Sequence, residues 1–294
     1  MRSVLCKLMT GLVIGACLTM QSVFACELRI PDWDVRYSIR NDYAINLLQE
    51  LLKRTETQFE PCTIVKGPYA PPIRLTQQLA ENQNYDVAWM PVTLDNSARL
   101  KMLPYPIDKG SLGWRVLLIR KADQSHFAKV KTLDDLRQYR AGFHELWSDY
   151  NVYQHNLDEV IGFRDYQSMF TMLHHQRYDY VSRALHEAIP ELTRSHEQNE
   201  VQLEQSLLLH YPNGDFFFVN KSNTRLAERL EKGFQLIIED GTFDRMFNGF
   251  YGSAMSSIKL SGRRVINLEN PQFPLDILNQ HPELWLHYEE NRLQ

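Results

Sequence analysis

Apolar residues are distributed along the chain in two alternating patterns. Short runs rich in β-branched and aromatic residues at 27–30, 59–65, 85–90, 114–119, 140–143, 178–181 and 215–219 predict strands. Between them the apolar period lengthens to that of a helix. Ala44, Leu47, Leu48, Leu51 and Leu52 share one face after a start at Asn41 or Asp42. Pro72 opens a second helix, as proline can in a first turn, followed by Ile73, Gln77 and Ala80. Residues 166–175 place Met169, Phe170 and Leu173 together, and 224–239 carry a stripe of Leu226, Leu230, Phe234 and Ile237. Gly241 suits a left-handed helix end, and Thr242 is placed to cap the next helix. Pro61 puts its strand at a sheet edge, since proline cannot donate to a central ladder.

Strands alternating with helices predict an α/β fold, with mostly parallel sheets covered by helices on both faces. The most informative stretch is 113–147. An apolar strand at 114–119 holds Arg115, a polar loop follows, and Thr132 with Asp135 forms a capping pair ahead of Leu133 and Leu136. A second strand then opens at Arg140-Ala141-Gly142-Phe143. The segments KTLDDLRQ and RAGFHE resemble the helix and strand that open the second lobe of type II periplasmic solute-binding proteins (solute-binding family 3, the amino-acid-binding components of ABC transporters). YDVAWMPVTLDNSARLKMLPYPI, QRYDYVSRAL and ERLEKGFQLIIEDGTFDRMFNGFYG follow in that family's order, so the resemblance spans about 26–252. It implies two lobes joined by a two-strand hinge. Lobe one takes 26–115 and returns at 215–259, and lobe two takes 116–214. The family's usual entry segment is replaced by PDWDVRYSIRNDYAINLL. Residues 260–294 are additional and read as a strap on lobe one, packed by Val265, Ile266, Leu275, Leu284 and Trp285.

Charge and cysteine usage add a compartment. Arg2 and Lys7 precede an apolar stretch at 8–20, and Val23-Phe24-Ala25 fits cleavage before Cys26, which reads as a secretory leader at 1–25 and a periplasmic product. Ile14-Gly15-Ala16-Cys17 is the alternative, a loose lipoprotein site. Cleavage after Ala25 leaves Cys26 and Cys62, a disulfide pair if the first two strands are parallel neighbours, or else two unrelated buried thiols. The formal charge of -4 gives no basic footprint for nucleic acid.

Motifs for catalysis, cofactors and metals are missing. The His-Glu pairs at 144, 186 and 196 have Ser148, Pro190 and Glu200 where a zinc helix needs its second histidine. No P-loop, GxSxG elbow or dinucleotide fingerprint occurs. No cofactor or metal is therefore expected.

Ligands of open α/β sheets bind at the carboxyl ends of strands, and pockets favour lobe interfaces. That places Tyr69, Trp89, Thr93 and Arg99 on the lobe-one side of the cleft. Trp147, Ser148, Asp149 and Arg183 lie on the lobe-two side. The resemblance implies that Arg99 pairs with a ligand carboxylate and that Thr93 offers a hydroxyl. Trp89 is equally placed for the core, Arg99 for a solvated surface, and Arg183 for an ion pair with Glu187 one turn on. The family's Gly-Ser/Thr turn lacks its glycine, and Arg183 stands near where the family carries the acid that binds an α-amino group. Together these point to an anionic or acceptor-rich solute clamped by Arg99 and Arg183, or an amino-acid-like one. The resemblance implies a monomer that presents its closed form to an ABC permease or a sensor protein. Two further classes stand beside it. One is a dehydratase-like enzyme using His144, Glu145 and Asp149 as acid and base. The other is an interaction module without a ligand.

Overall fold

The computed structural model describes residues 26–32, 38–289 and 292–293. The leader expected at 1–25 and the Cys17 alternative lie outside the described residues. The chain begins β1 (Cys26–Ile30), α1 (Ser38–Arg54), β2 (Cys62–Lys66), α2 (Pro72–Ala80), β3 (Val87–Pro91), α3 (Leu94–Arg99) and β4 (Lys101–Met102). Next come β5 (Trp114–Arg120), α4 (Gln124–Phe127), α5 (Leu133–Leu136), β6 (Ala141–His144), α6 (Tyr150–Asn156), β7 (Val160–Phe163), α7 (Ser168–His174), β8 (Tyr180–Ala184) and α8 (Leu185–Arg194). It ends with β9 (Val201–Leu203), β10 (Leu207–His210), β11 (Asp215–Val219), α9 (Thr224–Glu239), α10 (Thr242–Phe247), α11 (Ser253–Ser256), β12 (Arg264–Asn267), β13 (Tyr288–Glu289) and β14 (Arg292–Leu293).

Two lobes result. In lobe one, β1 pairs with β2 in parallel, and β3 and β4 flank β11 antiparallel to it. In lobe two, the strand order is β12-β10-β5-β8-β6-β7, with β9 pairing to the far end of β5. The sheets are mixed rather than mostly parallel. β5 and β11 each enter from the other lobe, so they run against the strands they join.

Local chemistry fixes the elements much as the pattern predicts. The Thr132 hydroxyl accepts from the Asp135 N–H at 3.2 Å and the Asp135 carboxylate accepts from the Thr132 N–H at 3.0 Å, closing the capping box that starts α5. Asn223 caps α9, and the α9 stripe packs against α1 in the lobe-one core. Gly241 sits at φ +72°, in the left-handed region that ends α9. It also serves as the N-cap of α10, the role expected of Thr242. Helix α1 begins at Ser38, ahead of Asn41, whose side-chain Oδ1 instead accepts from Trp89 Nε1 at 3.2 Å. Cys26 and Cys62 are register partners in β1 and β2 and form a disulfide. Closing a loop of this length stabilises by roughly 2–4 kcal/mol.

The chain passes between the lobes at 103–113, 211–214, 257–263 and 268–272, where the sequence suggests two crossings, and after Leu284 it turns back to pack Tyr288 and Leu293 against lobe two. The tail is not a strap on lobe one alone. β12 adds a parallel edge strand to β10, and Ile266 and Leu268 enter the lobe-two core. The chain then returns, placing Phe273, Ile277 and Leu284 in lobe-one cores. The first two connections cross tightly. A Cβ on Gly113 would lie 2.1 Å from the Tyr211 carbonyl oxygen, so only glycine fits there. One buried carboxylate, Asp108, accepts from the N–H groups of Gly110, Leu112 and Asp215, tying the first connection to β11.

His210 stacks on Trp114 beside this crossing, with ring centroids 4.0 Å apart. Burial holds its pKa below the usual value, a hydrogen bond with Asn267 works the other way, and the charge of His287 lowers it further. Below about pH 6.5 the unfolded chain therefore binds the proton more readily than the folded one. This contribution is complete above that pH and is lost as pH falls through the lowered folded value. His210→Gln should flatten the dependence of the urea midpoint on pH in that acid window, and an unchanged slope would refute the assignment.

Candidate functional site

The carboxyl ends of β3, β6 and β8 converge at the seam between the lobes. The loop after β3 supplies Thr93, the N-cap of α3, whose hydroxyl accepts from the Asn96 N–H. The loop after β6 supplies Ser148 and Asp149. These three predicted residues line one cavity of about 10 Å³, room for about one water molecule. Asn213 from the second connection and Asn270 and Gln272 from the tail complete its polar wall. Arg99 is not part of that wall. It lies in the last turn of α3, exposed, 3.6 Å from Asp95. Tyr69 is exposed on the loop before α2. Trp89 is core, 1 % exposed and edge-on to Phe217.

Behind the cavity, lobe two buries a charged network. Arg115, 3 % exposed, donates through Nη2 to Asp149 and through Nε to the Tyr211 hydroxyl at 2.9 Å. The Tyr211 hydroxyl in turn donates to the same Asp149 oxygen at 2.6 Å. Arg183, 2 % exposed, makes two 2.6 Å hydrogen bonds to Glu191 and lies 3.0 Å from Glu187, which Arg115 approaches at 3.6 Å. The Trp147 ring lies 4.3 Å from the Arg183 guanidinium carbon. Burial disfavours both arginine charges, but their acidic neighbours outweigh it and hold both pKa values above the ordinary range. Burial, reinforced by Asp149, raises the Tyr211 pKa, although Arg115 opposes the shift.

The expected clamp of Arg99 and Arg183 across a cleft is therefore corrected. Arg183 is spent within its own lobe, because a buried guanidinium without carboxylates would be prohibitive, and the first turns of α8 supply two. The residues suggested for acid–base chemistry are likewise engaged. His144 accepts from the Leu146 N–H through Nδ1 and meets the Arg164 carbonyl at 2.8 Å through Nε2. Glu145 pairs with Arg164 at 2.6 Å. The sequence carried a sign of Arg115, a cation in the apolar run WRVLLIR, but none for Asn270 or Gln272.

The tail also fastens the seam. Asn156 of α6 exchanges two hydrogen bonds with the Glu269 backbone, at 2.8 and 2.9 Å. Asn270 donates to the Pro212 carbonyl, and the Leu94 N–H donates to the Gln272 carbonyl at 2.9 Å. Four residues thus link α6 of lobe two to α3 of lobe one.

No protein-family model matches the chain, and no curated protein matches its sequence. Solved structures do match in fold. A periplasmic binding protein of Salmonella typhimurium with high arginine specificity aligns at a TM-score of 0.53 and 13 % identity, covering 77 % of this chain and 100 % of its own. The fold is that of the two-lobe periplasmic binding proteins. A histidine kinase sensor domain with similarity to such proteins aligns at TM-score 0.55 and 11 % identity, covering 78 % of this chain and 96 % of its own. An ancestral amino-acid-binding protein, described as a precursor of cyclohexadienyl dehydratase, aligns at 0.53 and 14 %, covering 76 % and 95 %. These likenesses establish the two-lobe architecture. Among the described residues no helix is long and apolar enough to cross a membrane.

Proposed function

We propose that this protein is a periplasmic receptor that binds a small polar solute, of amino-acid size, between its lobes as they part and close. The observation that carries the reading is the convergence of Thr93, Ser148 and Asp149 from opposite lobes on one seam cavity at strand carboxyl ends. The two buried guanidinium groups are already neutralised by carboxylates, so recognition falls to the hydroxyls and amides of Thr93, Ser148, Asn213, Asn270 and Gln272. That chemistry suits a neutral or zwitterionic solute better than a dianion. The bonded state of His144 and Glu145 favours binding over dehydration. The partner is an ABC permease or a sensor protein, met by a monomer.

Native mass spectrometry of protein purified without refolding, followed by calorimetry against the amino acids, tests the reading. A small-molecule adduct released on denaturation, and affinity weakened by Thr93→Ala and Ser148→Ala, are expected. A protein that carries no adduct and binds no member of the panel would instead be an interaction module. The tail clasp across the seam is the observation that favours that second reading.

A further inference from the structure

A second hollow, of about 360 Å³, opens behind the crossing of the first two connections. Gly110 borders it from the first connection and Trp114 from the start of β5, Pro212 from the second connection and His210 from the end of β10, and Leu278, Trp285 and Tyr288 from the tail. The polar tips of Trp114, His210 and Tyr288 are tied elsewhere, while Trp285 Nε1 is buried without a hydrogen-bond partner among the described residues. Trp114 Nε1 donates to the Leu286 carbonyl at 3.2 Å, and the Tyr288 hydroxyl donates to the Leu260 carbonyl at 2.8 Å. His210 bonds with Asn267, and burial favours its neutral form. Asn213, also on the wall, accepts from the Gly214 N–H. What remains to meet an occupant is mainly ring and aliphatic carbon, with His287 and Glu289 at the exposed rim.

Size and chemistry define the occupant. An apolar cavity of about 150 Å³ holds one benzene ring, and small-molecule pockets begin near 300 Å³. The hollow therefore has room for two fused rings. Among the described residues no group of three or more His, Cys, Asp or Glu could hold a metal ion, which sets aside a metal role for His210, His287 and Glu289. We propose that this hollow is a binding site for a neutral, planar aromatic molecule of two fused rings, separate from the seam cavity. Its walls come from the first two connections and from the tail, so an occupant contacts both strands of the crossing at once. Binding there stiffens the hinge and slows exchange of the Tyr211 amide, which donates to the Gly113 carbonyl at 3.2 Å.

Saturation-transfer-difference NMR on the whole protein, with indole as probe, tests this. Indole should receive saturation and slow exchange of the Tyr211 amide. Leu278→Trp, which fills the hollow, and His287→Trp, which narrows it from its exposed rim, should each weaken indole binding at least about tenfold through lost apolar contact. Ser148→Trp, which blocks the seam cavity, should leave indole binding intact. That control separates this site from the solute site, so either can fail alone. No saturation transfer in the wild type, or unchanged transfer in a folded Leu278→Trp or His287→Trp protein, overturns the proposal. Loss of transfer in a folded Ser148→Trp protein overturns it too, by placing indole in the seam.

Discussion

Replacing Arg183 with Met should destabilise the protein by about 3–5 kcal/mol, because breaking a buried ion pair leaves its partner charged and unpaired. Arg183 is held by Glu191 and Glu187, whose side chains are only 10 % and 14 % exposed. Without it, Arg115 alone must balance Asp149 and Glu187, and Glu191 loses both of its 2.6 Å hydrogen bonds. Urea unfolding with an unchanged m-value would isolate the stability term. The double variant Arg183→Met with Glu191→Leu should recover much of the loss, since replacing a whole buried pair with apolar residues is often close to neutral. Arg99→Ala is the contrast. Its exposed pair with Asp95 should contribute no more than about 1 kcal/mol. A single Arg183 variant as stable as wild type would show that the network is not what holds α8 to β8.

Asn156→Ala should release the tail from lobe two. It strips the Glu269 N–H and carbonyl of the side chain that pairs with both, and each buried group left unsatisfied costs about 1–3 kcal/mol. Hydrogen exchange reads the result at two separate amides. The Glu269 amide should exchange at least about tenfold faster, for a cost near 1.4 kcal/mol. If the tail is a clasp, the Leu94 amide should speed up with it, since its acceptor is the Gln272 carbonyl three residues further along. Acceleration at Glu269 with Leu94 unchanged would mean local fraying and would remove the clasp from the account.

The architecture was legible because it rests on local signals. The α9 stripe, the Thr132–Asp135 box and the apolar run of β5 each specify their element without help from distant residues. Thr93, Ser148 and Asp149 were legible because a strand's carboxyl end fixes where the next loop lies. The fate of Arg183 was only half visible. Glu187 at one turn was within reach of the sequence, but Glu191 comes close only because α8 folds back over the end of β8. Trp89 shows the same limit, since nothing in the sequence says which side of β3 meets Phe217. The tail was least legible. β12 carries an ordinary apolar alternation, and its choice of partner depends on an edge left open by β10, a property of the finished sheet.

That edge has a consequence for how the chain acquires its structure. Residues 264–267 close the open side of β10, and Phe273, Ile277 and Leu284 complete the cores of the other lobe. While the chain is being made, β5, β8 and β10 can assemble well before their last neighbour exists, leaving a strand with unpaired backbone groups on display. Neither lobe can finish independently of the other, and both wait for residues 264–284. Such an interval is when strand edges recruit other chains, so this protein's exposure to misassembly is concentrated in the time before residues 264–284 arrive rather than spread along the chain.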